Sequence, residues 1–94
     1  MSAEMTQIKL EYEPISGIKI EQYFEADQET MKKANIWLKA DHKNVPTPET
    51  FAEWLESNGG QHHREDGPAY VKKGKKYSEE KWYEHGGLRR EKIE

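Results

Sequence analysis

Thr47-Pro48-Glu49-Thr50-Phe51-Ala52-Glu53-Trp54-Leu55-Glu56-Ser57-Asn58-Gly59-Gly60 is the stretch on which the fold turns. Thr47 is a favoured N-cap, and Pro48 suits the first helical position because the N–H it lacks would be unpaired there anyway. Glu49 sits at the positive end of the helix dipole. Phe51, Trp54 and Leu55 recur at helical spacing, and Asn58-Gly59-Gly60 supplies residues that tolerate left-handed backbone. The stretch predicts one helix with a sharp end. Beyond it the apolar period changes from near 3.6 to 2, so the chain combines helix with antiparallel strand.

Upstream, Ile8, Leu10 and Tyr12 alternate with Lys9 and Glu11, the pattern of a strand over Gln7–Tyr12 with one buried face. Pro14-Ile15-Ser16-Gly17 reads as a turn. A second strand through Ile18, Ile20 and Tyr23-Phe24 completes a hairpin. Asp27 caps an expected helix from about Gln28 to Ala40, with Met31, Ala34 and Leu38 on one face and Trp37 at its edge; propensity leaves residues 36–40 open between helix and strand. His42 to Pro46 is a loop. Downstream, Asp66-Gly67-Pro68 is a turn, Ala69–Lys72 a short strand and Lys73-Gly74-Lys75 a reversal. Glu80–Glu84 returns as a strand, and His85-Gly86-Gly87 turns the chain again. The expected fold is α+β: a small single domain of antiparallel β-hairpins and one or two helices. Residues 1–57 form a β-hairpin plus helices, and residues 58–94 a β-hairpin repeat region. The expected core is Leu10, Ile20, Phe24, Leu38, Phe51, Trp54, Leu55 and Trp82.

Ninety-four residues fill one domain and allow only a small core. Hydrophobic residues are 33% of the chain against 35% charged, so the ten aromatic side chains must supply much of the buried area. The absence of cysteine excludes disulfides, thiolate catalysis and cysteine-bound metal clusters. With no apolar run near the ~20 residues of a membrane span and no signal-peptide core, the expected compartment is the cytoplasm, without membrane contact. Residues 1–57 carry 6 basic and 11 acidic side chains, and residues 58–94 carry 9 basic and 7 acidic, so the halves are −5 and +2. Opposite signs can steer association with a partner, whereas the acidic total of −3 departs from the strongly basic domains usual in nucleic-acid binding.

The last third contains an internal echo: Asn58-Gly59-Gly60-Gln61-His62-His63-Arg64-Glu65 is followed 27 residues on by His85-Gly86-Gly87-Leu88-Arg89-Arg90-Glu91. With Asp66-Gly67-Pro68-Ala69 and the aromatic strand after it, residues 58–92 resemble the HREDGPA-type, MORN-like hairpin repeat of small tailed-bacteriophage and bacterial proteins. One unit is complete and the second truncated, with an extra histidine in the first and no Asp-Gly-Pro-Ala after Glu91. The resemblance implies a small phage accessory protein acting stoichiometrically on host machinery in the host cytoplasm. It brings no catalytic residues with it.

His62-His63-Arg64-Glu65-Asp66 is the most site-like string, since imidazoles and carboxylates together bind metals or move protons near neutral pH. Adjacent residues of a strand point to opposite faces, however, so His62 and His63 do not share one ion, and a turn network around Asp66, Arg64 and His63 explains the same residues. No nucleophile elbow, phosphate loop or dinucleotide fingerprint occurs. The expectation is a binding protein, not an enzyme, with no cofactor and no metal. A host protein is the expected partner, and the chain a monomer or homodimer. Two faces compete for it. Lys72, Lys73, Lys75, Lys76, Tyr77, Tyr83, Arg89 and Arg90 place cations beside aromatics, a pattern that also suits RNA or single-stranded DNA. Glu11, Glu13, Glu21, Glu25, Asp27 and Glu29 offer an acidic surface instead.

Overall fold

The computed structural model describes residues 4–43 and 45–94. Strand β1 (Met5–Ile15) and strand β2 (Ile18–Asp27) form the first hairpin. Helix α1 (Gln28–Lys39) and helix α2 (Pro48–Asn58) follow, then β3 (Gln61–His62), β4 (Tyr70–Lys73), β5 (Ser78–Glu84) and β6 (Gly87–Ile93). The strands make one antiparallel sheet in the order β1-β2-β4-β5-β6, with β3 also on β2. The fold is therefore a small α+β domain with two helices on a six-stranded sheet.

β1 is longer than its alternation suggests, because Pro14 and Ile15 still belong to the strand and the chain reverses at Ser16-Gly17, where Gly17 has φ 90°. The short strands β3 and β4 act as one interrupted strand beside β2. Phe24 pairs with His62 and Gln22 with Tyr70; His63 and Ala69 both bond the Tyr23 backbone, and residues 64–68 loop out between them. Three backbone bonds tie the other side of this break to β5 and the turn after it, from Arg64 N–H to the Tyr83 carbonyl, from Ala69 N–H to the Lys81 carbonyl and from Gly86 N–H to the His62 carbonyl.

Register assigns the faces. Ile8, Leu10 and Tyr12 oppose Phe24, Gln22 and Ile20, and this face receives the helices. Phe24 and Leu55 are the largest fully buried side chains; Ala26 and Ala52 complete the cluster, and Ile8, Leu10, Met31, Phe51 and Trp54 pack around it. Alanine at these positions lets helix and sheet approach closely. Leu38 is not part of the core, being 41% exposed. The reason is Trp37, whose ring lies 5.7 Å from that of Trp54 and 6.1 Å from that of Phe51. Turning Trp37 onto α2 rolls Leu38 outward, and residues 36–39 stay helical. Trp82 is likewise only half-buried, on the face away from the helices and under the Arg90 guanidinium at 4.8 Å.

Both helices sit over β1 and β2, and among the described residues neither packs extensively on β4, β5 or β6. The molecule measures 39 × 38 × 17 Å with a radius of gyration of 14.1 Å, whereas a compact chain of this length has about 12 Å. Half of the sheet is a single layer.

Candidate functional site

The histidine–arginine string becomes a built corner between β3 and β4. His62 lies on the helix side, its ring centroid 4.4 Å from Phe24 and 4.8 Å from Tyr83, with a ring nitrogen 2.8 Å from the Gln22 amide oxygen. Burial, aided by Lys81, lowers its pKa, and burial raises that of Glu56, 3.6 Å away. Both shifts favour uncharged forms, so this contact is not a strong ion pair. His63 points to the other face and is buried, in keeping with the alternation of a strand.

Arg64 holds the excursion together. Its guanidinium lies over the Tyr23 ring at 4.1 Å, donates from Nε to Asp66 Oδ1 at 2.9 Å, and donates from a terminal nitrogen to the Pro68 carbonyl at 3.2 Å. The Asp66 pKa is lowered by that hydrogen bond and by the charge behind it. A Cβ on Gly67 would stand 3.0 Å from Arg64 Cζ, so glycine lets the turn close around the guanidinium. Ala69 is fully buried where the chain rejoins the sheet. Each residue of the Arg-Glu-Asp-Gly-Pro-Ala string except Glu65 thus has a part in folding the corner. The echo in the second unit extends to backbone: Gly59 and Gly86 both have positive φ, 109° and 84°.

The sequence-derived partner residues divide among three places. Lys72 and Tyr83 lie on the helix-side face of the sheet, since register carries that face from Ile20 to Lys72 and on to Glu79, and from Tyr70 to Lys81. Lys73 and Arg90 lie on the opposite face. Lys75, Lys76 and Tyr77 form the β4–β5 tip, where a shallow hollow of about 450 Å³ also touches Ser16, Gly17 and Ile18 of the first hairpin. Lys19, opposite Lys73, adds a fourth cation to this end. Arg89 occupies a bulge and pairs with Glu84 at 3.0 Å. The lysine and arginine residues therefore form no continuous basic face.

The acidic surface also contracts. Glu25 is 4% exposed and pairs with His85 Nδ1 at 2.7 Å, Asp27 caps α1 through Thr30 N–H, and Glu11 pairs with Lys9. Of these three, Glu25 alone is withdrawn from the surface; Asp27 is spent on the cap, and the Lys9–Glu11 pair stays exposed. Tyr70, half-buried beneath Lys81 at 5.4 Å, and Leu88 and Ile93, exposed by 51% and 64%, were not among the partner residues read from sequence. With Tyr83 they share the helix-side face of β4–β6, next to α2. Only long-range register identifies that grouping.

Comparisons with family models, curated proteins and solved structures find no match. Among the described residues no helix is long and apolar enough to cross a membrane.

Proposed function

We propose that the chain is a non-enzymatic binding protein that engages a protein partner through the helix-side face of β4–β6. The observation that carries this reading is the half-covered sheet: Tyr70, Tyr83, Leu88 and Ile93 share a face on which, among the described residues, no second layer is built. Register interleaves these aromatic and aliphatic groups with Lys72, Glu79, Lys81 and Glu91, a mixed apolar and charged surface that suits contact with a protein. The resemblance of residues 58–92 to phage hairpin repeats supports a partner in host defence or regulation, blocked stoichiometrically in the host cytoplasm, as anti-CRISPR, anti-restriction or antitoxin proteins block theirs.

A second reading rests on a separate observation. Lys19, Lys73, Lys75 and Lys76 surround Tyr77 where two hairpin tips meet, and free lysines beside an aromatic ring suit RNA or single-stranded DNA. Capture from a bacterial lysate, with and without nuclease, tests the two together when run on three proteins: wild type, Leu88→Asp, and the alanine variant at Lys72, Lys73, Lys75 and Lys76. A defined protein retained after nuclease by wild type and by the lysine variant, and lost from Leu88→Asp, is the expected result. Nuclease-sensitive recovery abolished in the lysine variant would replace the protein reading with the nucleic-acid one.

A further inference from the structure

Glu25, His63 and His85 reach one point from three segments: the end of β2, the residue after β3, and the β5–β6 turn. His85 Nδ1 is 2.7 Å from Glu25 Oε1, His63 Nε2 is 4.0 Å from Glu25 Oε2, and the two imidazoles stack with centroids 4.3 Å apart. Glu65 Oε1 lies 3.9 Å from His63 Nε2. Glu25 and His63 are buried, whereas the His85 side chain is 65% exposed.

Ligand atoms of the three residues fall within 4.8 Å of one another, the spacing of a metal site. Hydrogen-bond accounting argues against that use. His85 N–H donates to His63 Nδ1 at 3.0 Å, so neutral His63 carries its proton on Nε2, the nitrogen facing Glu25 and Glu65. A ligating histidine does the reverse, presenting a bare nitrogen to the metal while its other N–H donates outward. Among the described residues no fully buried side-chain polar atom lacks a partner.

We propose that this cluster is a proton-operated latch: protonated His85 grips the buried Glu25 carboxylate and fastens the β5–β6 turn to β2, and loss of the proton loosens the turn. The geometry makes the turn depend on it. His85 has φ 47°, a left-handed conformation uncommon for a residue with a side chain, and its own N–H and that of Gly86 are spent on His63 and His62. The groups facing the imidazole are Glu25 from β2, Glu65 from the excursion, Glu84 from β5 and the stacked ring of His63. The Glu25 hydrogen bond, then its charge, raises the pKa of His85 above the ordinary 6.5, with smaller contributions from Glu84 and Glu65. A raised pKa in the folded state means that the latch contributes fully below about 6.5 and weakens as the pH rises through the raised value. The latch is independent of which partner the open face binds.

Nuclear magnetic resonance of the full chain between pH 5.5 and 9 tests this through the His85 ring titration and the exchange protection of the His85 and Gly86 amides. In wild type both amides are expected to lose protection as His85 titrates, each unit of raised pKa corresponding to a tenfold change in closure. Glu25→Gln should return the His85 titration toward its ordinary position and leave both amides weakly protected at every pH, because the carboxylate that the protonated ring grips is gone. His85→Asn, which tolerates left-handed backbone and sits at an exposed position, should show weak protection at every pH, and it keeps the test available if Glu25→Gln does not fold. Protection that ignores His85 titration, or that is unchanged in both variants, would overturn the latch. Stoichiometric Zn²⁺ binding that shifts the His63 ring and restores protection at high pH would overturn it in favour of a metal site.

Discussion

Replacing Leu55 by alanine tests the account of the core most sharply. Leu55 and Phe24 are the only large side chains fully buried among the described residues, and the remaining members of their cluster are alanines, which cannot extend to fill a hole. Gly60 closes the site from the other side, since a Cβ there would lie only 2.9 Å from Leu55 Cβ. A Leu→Ala change in a core costs about 2–5 kcal/mol, most where collapse is hindered. Small domains hold roughly 0.05–0.15 kcal/mol per residue, which for this chain gives about 5–14 kcal/mol in total. A loss of about 3 kcal/mol, with a urea slope near ~1.3 kcal/mol per molar, lowers the denaturation midpoint by about 2 M. Leu38→Ala is the control: with 41% of Leu38 already exposed, its midpoint should move by less than a quarter of that. Equal shifts in equilibrium urea denaturation would refute the placement of Trp37, and not Leu38, against α2.

Three further outcomes follow from local geometry. Thr47→Ala should cost about 1 kcal/mol, because Thr47 and Thr50 exchange side-chain-to-backbone bonds at the start of α2; loss of far-ultraviolet helix signal together with urea stability checks it. Gly60→Ala should destabilise by about 1–3 kcal/mol through its clash with Leu55, visible as a lowered melting temperature. Arg64→Lys should fail to restore what Arg64→Ala loses, because an ammonium cannot bond Asp66 and the Pro68 carbonyl while lying flat on Tyr23. Proteolytic nicking between residues 64 and 68 is the readout.

Elements marked by backbone chemistry were legible in the sequence. The alternation of Ile8, Leu10 and Tyr12, the Thr47-Pro48 start of α2 and the left-handed Gly59 at its end each report a local constraint, and each is present. The alternation also separated His62 from His63 correctly. What escaped depends on contacts between distant segments. Alanines 26, 34, 52 and 69 are buried because helices and corner press close at those points, and nothing in an alanine's own neighbourhood announces that. Glu25 reads as a surface acid until His85, sixty residues later, folds over it. Leu88 and Ile93 look like the end of a truncated repeat, yet they form a whole strand, β6, facing Tyr83 and Glu79. The lysine string, continuous in sequence, divides between two faces and a tip because a strand turns alternate side chains apart.

The most direct test of the proposed function is side-chain footprinting of the chain bound to its captured protein partner, by hydroxyl-radical oxidation read residue by residue. The account predicts protection of Tyr70, Tyr83, Leu88 and Ile93 with Tyr77 left reactive. Protection confined to Tyr77 and the hairpin tips, with Leu88 and Ile93 still open, would contradict it.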